Sequence, residues 1–153
     1  MTDVVDAATR SRMMASIRSR DTQPERAVRR ALHARGCRFR LHSRTLPGRP
    51  DIVLPRYRAV VLVHGCFWHG HRCQLFRLPG TRREFWREKI RRNRARDRRV
   101  LKSLAAAGWR AVTVWECALG KGDPRTVADL AGRIVDWLES GGPSTEIAGS
   151  PAG

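Results

Sequence analysis

The sequence predicts an α/β fold, a mixed β-sheet flanked by helices. Three observations predict it. Two short apolar runs, Ile52 to Leu54 and Ala59 to Val63, sit close enough together to form a hairpin. A third, Ala111 to Trp115, has the β-branched character of a buried strand. Helical patterns stand before, between and after these runs, so the order reads helix, three strands, helix, strand, helix.

Taken in order, residues 1–20 are polar and basic, with Met13, Met14 and Ile17 as the main large apolar groups. They read as an N-terminal arm, with helix-compatible sequence from Ala7 or Thr9 to Arg18. Thr22-Gln23-Pro24-Glu25 is a helix start, a capping box with Pro in the first turn. Ala27, Val28, Ala31 and Leu32 share one helical face, and Gly36 stops the helix. Glu25 thus has a structural role as the partner of Thr22, unless the helix start faces Asp51. Arg38 to His42 alternates polar and apolar residues, as a half-exposed strand does. Cys37, just before it, reads as a small core residue. A turn-rich connector, Leu46-Pro47-Gly48-Arg49-Pro50, leads to Asp51.

If the next reversal centres on Tyr57 and Arg58, Leu54 faces Val61, Ile52 faces Val63 and Asp51 faces His64. Facing residues lie about 4.5–5.5 Å apart at Cβ, so a carboxylate and an imidazole would share one end of the hairpin. Thr81 to Ala107 is one long helical pattern whose stripe is Trp86, Ile90, Asn93, Asp97, Val100, Leu101 and Leu104. Asn93 and Asp97 interrupt that stripe, and the first half of the helix is densely basic. A helix polar nearly all round faces solvent or a ligand. Trp109 to Trp115 reads as a strand, Glu116 to Asp123 as a loop, and Pro124 to Glu139 as an amphipathic helix. Residues 140–153, rich in Gly, Ser, Pro and Ala, are expected to be disordered. The division is therefore arm 1–20, one domain 21–139 and tail 140–153.

The 153 residues carry 31 Lys and Arg against 14 Asp and Glu, a net charge of +17. Such an excess on one small domain implies a polyanionic partner. Arginine dominates it, and its planar fork suits phosphates and base edges. No apolar run has transmembrane length and no signal peptide is present, so a soluble intracellular protein is expected. Four cysteines in a reducing compartment favour metal binding or free thiols over disulfides.

Cys66, His71 and Cys73 have the donor types and short spacing that suit Zn²⁺, with Cys117 as the best fourth ligand. The competing reading is a set of unrelated buried thiols. Phe67 and Trp68 lie among these ligands in a Gly-flanked loop. They form either a small core over the metal or apolar wedges for DNA, and Trp86 has the same two readings.

The strings Thr9-Arg10-Ser11-Arg12, Pro47-Gly48-Arg49-Pro50-Asp51, His64-Gly65-Cys66-Phe67-Trp68-His69, Glu84-Phe85-Trp86 with Lys89 and Asn93, and Val114-Trp115-Glu116-Cys117 together resemble the Vsr family of very-short-patch repair endonucleases. The resemblance runs from about Thr9 to Ala118 and more loosely to Leu138. It implies a restriction-endonuclease-like fold and an enzyme that nicks one strand beside a T:G mismatch left by deamination of 5-methylcytosine. It implies that Asp51 ligates catalytic Mg²⁺ with help from the Val63 carbonyl. His69 would be the general base, His64 would assist at metal and phosphate, and Glu25 would contact metal-bound water. Cys66, His71, Cys73 and Cys117 would hold a structural zinc. Phe67, Trp68 and Trp86 would wedge into the duplex, Met14 would approach the minor groove, and Lys89 and Asn93 would lie near the mismatched pair.

The implied partner is double-stranded DNA with a T:G mismatch, met by a monomer in the bacterial cytoplasm, with mismatch-repair proteins as candidate further partners and no membrane role. The strand Val61-Leu62-Val63 lacks the acid and lysine usual in the wider superfamily, so His64 and His69 must take over the lysine's role. Two other readings compete. One is a zinc-stabilised DNA-binding module without catalysis, and the other a sequence-specific restriction nuclease.

Overall fold

In the computed structural model, residues 22–71 and 78–149 are described. The arm with Met14, the candidate ligand Cys73 and residues 150–153 lie outside them.

Helix α1 spans Gln23–Ala34, capped by the Thr22 hydroxyl, which accepts from the Glu25 N–H at 3.4 Å. The chain then makes β1 (Arg40–Leu41), β2 (Ile52–Leu54), β3 (Ala59–His64), helix α2 (Arg83–Ala106), β4 (Arg110–Trp115), helix α3 (Pro124–Ser140) and β5 (Thr145–Ile147). The strands lie in sequence order. β1, β2 and β3 pair antiparallel; β3–β4 and β4–β5 pair parallel. The expected neighbourhood of β4 and β3 is present, with Val63 beside Val114 and His64 beside Trp115.

Helices cover both faces of the sheet. Val28 and Leu32 of α1 and Val127, Leu130, Ile134 and Leu138 of α3 pack on Ile52, Leu54, Val61, Val112 and Val114. Leu104 of α2 packs on Val53, Val60, Leu62 and Ala111 on the other face, with Val100 and Leu101 beside it. Burial on both faces is why these strands read as unbroken apolar runs. Each such side chain contributes about 1.5–3 kcal/mol. No described helix is long and apolar enough to cross a membrane.

Two expectations are corrected. The β2–β3 register pairs Ile52 with Val61 and Leu54 with Ala59, two residues tighter than expected. Pro55–Tyr57 forms a 3₁₀ turn and Arg58 closes it in the left-handed region, φ 48°. The reversal therefore centres earlier, and Asp51 does not face His64. The tail is not wholly disordered either, because β5 extends the sheet beside β4. Its low hydrophobicity hid it, but an edge strand needs only one buried side chain here, Ile147.

Candidate active site and metal centre

The site grows from the end of β3 where His64 stands. Asp51, just before β2, turns its carboxylate back so that Oδ2 accepts from the Val63 N–H at 2.8 Å. From the other side α1 presents the buried Glu25 to it, and from beyond β1 comes His42. Glu25 Oε2 lies 3.6 Å from His42 Nε2, and donor atoms of Glu25, His42 and Asp51 all lie within 4.8 Å of one another. Burial pushes the Asp51 carboxyl up to about 8, reinforced by the hydrogen bond to Glu25 and its charge; the Val63 N–H and Arg29 oppose the shift. Two carboxylates forced together out of water favour either a shared proton or a cation.

One residue along, the chain reaches His64. Its ring stacks on His69, centroids 3.8 Å apart and planes 2° from parallel. His69 Nδ1 lies 2.5 Å from Asp97 Oδ2 on α2. Burial lowers His64 to about 3, and the neighbouring His69 adds to this, so His64 is neutral. Burial alone would raise the Asp97 carboxyl. The His69 hydrogen bond, with the Arg96 charge beside it, outweighs that and holds it below its ordinary range. An ionised Asp97 accepts a hydrogen bond from the Nδ1–H of His69, which leaves a lone pair on Nε2 able to take up a proton.

The loop after β3 then turns under the sheet end. Cys66 and Cys117 Sγ each lie 3.6 Å from His71 Nδ1. Tetrahedral Zn²⁺ with ordinary bond lengths places sulfur and nitrogen about 3.6 Å apart, so these three donors fit that ion. The Cys117 N–H donates to Cys66 Sγ at 3.4 Å and the Gly149 N–H to Cys117 Sγ at 3.3 Å, which holds both sulfurs in place. The Glu116 carboxylate accepts from the Cys66 N–H at 3.3 Å and ties the loop to the end of β4. Gly70, at φ +62°, has no room for a side chain, because a Cβ would sit 2.6 Å from Ile90 Cγ2 on α2.

Above this loop Phe67, Trp68 and Trp86 pack edge to face, with centroids 5.2–5.7 Å apart, all half-buried. Phe85 continues the cluster and is exposed. Asn93 is buried and donates to the Trp68 carbonyl at 2.9 Å, so it braces the aromatic loop. Lys89 Nζ lies 5.9 Å from the Phe85 ring.

The structure thus brings Glu25 to Asp51, His64 to His69, and Cys66 and His71 to Cys117. Three residues with site roles were missed in the sequence. His42 follows a strand too short to point to it, although pairing β1 with β2 would have set it opposite Asp51. Asp97 was visible only as a break in an apolar stripe. Glu116 lies in the string that carries Cys117 but had no role of its own.

Paired acids beside an imidazole–carboxylate dyad, at the end of a mixed sheet in a very basic chain, are the equipment of a hydrolase that acts on phosphate esters of nucleic acid. Comparison with known proteins narrows the class. A family model described as DNA mismatch endonuclease Vsr matches residues 2–75. The chain is 47% identical to the DNA mismatch endonuclease Vsr of Escherichia coli (strain K12) over 147 residues, 96% of this chain and 94% of that protein. It is 53% identical over 119 residues to the type II nicking enzyme V.XorIIP of Xanthomonas oryzae pv. oryzae, 78% of this chain and 88% of that one. It is 42% identical over 139 residues to the type II nicking enzyme V.NaeI of Lentzea aerocolonigenes, covering 86% and 77%. The chain belongs to the Vsr family of DNA mismatch endonucleases.

Proposed function

We propose that this protein nicks one strand of duplex DNA beside a T:G mismatch produced by deamination of 5-methylcytosine, and so opens very short patch repair. One observation carries the reading: Asp51 and the His69–Asp97 dyad approach the same end of β3, linked through Val63 and His64.

Asp51, with the Val63 carbonyl, would hold the divalent ion, Mg²⁺ on this reading; Glu25, expected to touch only metal-bound water, lies close enough to Asp51 to join as a direct ligand. When bound it offsets the charge that builds on the phosphate during hydrolysis. The donors fit such an ion, because two buried carboxylates otherwise repel. His69 Nε2 takes the proton of the attacking water, while Asp97 fixes the ring's tautomer and balances the charge it acquires. His64, neutral and flat against His69, keeps that ring from turning and offers its edge to the phosphate.

Zn²⁺ would bind Cys66, His71 and Cys117, with Cys73 as fourth ligand, and stiffen the loop that carries His69. Replacing Cys117 by Ser is expected to halve the zinc content or worse and to lower the unfolding midpoint. Metal analysis and a melt of the same sample check this; full zinc content would overturn the assignment of Cys117.

Phe67, Trp68 and Trp86 form the wedge face that enters the stacked bases, with Lys89 beside it and Asn93 holding the wedge loop from below. The arm 1–20, with Met14, would reach the minor groove. The mixed sheet with helices on both faces is read as the restriction-endonuclease-like fold. The protein would act as a monomer in the cytoplasm, with mismatch-repair proteins as further partners.

The test is a gel of end-labelled T:G and matched duplexes incubated with Mg²⁺. A single nick confined to the T:G duplex is expected. Binding without a nick would leave a DNA-binding module, and cleavage of both strands of a matched site a restriction nuclease.

A further inference from the structure

We infer that His42 is a further protein ligand of the Asp51–Glu25 site, and that its imidazole tilts the site toward a first-row transition ion such as Mn²⁺ over Mg²⁺. This rests on the metal-site reading above and deepens it.

The geometry comes first. Two donors each about 2.1 Å from one ion lie about 3.0 Å apart when adjacent around an octahedron and about 4.2 Å apart when opposite. The 3.6 Å between His42 Nε2 and Glu25 Oε2 is about 0.6 Å wider than the adjacent spacing, a gap that a small side-chain rotation closes. The three donors lie within 4.8 Å of one another, so they must draw together to share an ion, as side chains do when an ion binds.

The backbone explains why His42 stands there. The His42 N–H donates to the Asp51 carbonyl at 3.1 Å, which continues the β1–β2 pairing one step past Leu41 and Ile52. His42 takes a left-handed conformation, φ 48°, so the side chain leaves the strand direction at the point where Asp51 turns back. His and Asn tolerate that region better than most side chains.

The chemistry supplies the preference. Carboxylates and water satisfy Mg²⁺, which gains little from nitrogen. First-row transition ions gain more from an imidazole. If His42 were only a hydrogen-bond partner of Glu25, its loss would change the two ions' affinities alike.

The experiment uses the full-length, zinc-loaded protein. Mn²⁺ binding is read from the free-ion electron paramagnetic resonance signal, Mg²⁺ binding by competition, and nitrogen coordination from ¹⁴N modulation in the pulsed spectrum. His42→Asn, which keeps the backbone conformation but cannot reach, is expected to weaken Mn²⁺ about tenfold, to change Mg²⁺ less than twofold, and to lose the ¹⁴N coupling. His42→Asp, which restores an oxygen donor, is expected to recover binding but to lower the Mn²⁺/Mg²⁺ affinity ratio below that of the wild type. Equal weakening of both ions, or ¹⁴N coupling kept in full by His42→Asn, overturns the inference and leaves the carboxylate site standing. A wild type that binds neither ion, or binds Mn²⁺ no better than Asp51→Asn does, overturns both.

Discussion

Asp51→Asn is expected to abolish nicking, by about 10³-fold or more, while mismatch binding persists. It is also expected to make the metal-free protein more stable at neutral pH. The same physics predicts both effects. In the fold the Asp51 carboxyl titrates near 8, because it is buried against Glu25; in the unfolded chain it titrates near its ordinary value of about 3.9. Between those values the folded state holds a proton that the unfolded state has released. Stability therefore falls as pH rises through this window, and is level below and above it. At pH 8 the deficit is on the order of a few kcal/mol. An amide cannot ionise, so the variant should lose the slope, and a bound divalent ion should flatten it in the wild type. Melts between pH 5 and pH 8, with and without the ion, check the stability. Gel shifts and nicking on T:G duplex check the function. A metal-free wild type that grows more stable from pH 5 to pH 8 would refute the buried acid pair.

The second large effect concerns Asp97→Asn. In the wild type, ionised Asp97 accepts a hydrogen bond from the Nδ1–H of His69 and so leaves Nε2 unprotonated. An asparagine can present its NH₂ group instead, which puts the ring proton on Nε2, where it blocks the base. It also withdraws the charge that balances protonated His69. A fall in kcat of about 10²–10⁴-fold is expected, with KM nearly unchanged, since Asp97 touches no DNA on this reading. Single-turnover nicking over a range of duplex concentrations separates the two constants. A rise in KM at constant kcat would show that Asp97 shapes the DNA face instead.

The sequence made the layers of this fold legible because burial on both faces writes itself as continuous apolar runs. Ile52 to Leu54, Ala59 to Val63 and Ala111 to Trp115 needed no other signal. The hairpin register was harder. A 3₁₀ turn at Pro55–Tyr57 and a left-handed Arg58 shorten the reversal by two residues, and neither has a strong local signature. A shift by two preserves the faces, so the expected core survived although Asp51 lost His64 as its opposite. Glu25 was legible as a cap, yet which way its carboxylate points depends on how α1 docks, a tertiary fact. His42 and Asp97 were obscured for the same reason: each reaches its partner across separate elements. Metal-ligand spacing, by contrast, is local chemistry, and Cys66 with His71 could be read directly. Cys117 could be added once β4 was placed beside β3.

The Gly149 amide that meets Cys117 sulfur, just after the short strand β5, has a consequence for how the molecule is made. Cys66 and Cys117 leave the ribosome well before the residue that completes their surroundings. The hydrogen-bonded surroundings of Cys117 are therefore complete only once β5 has paired with β4.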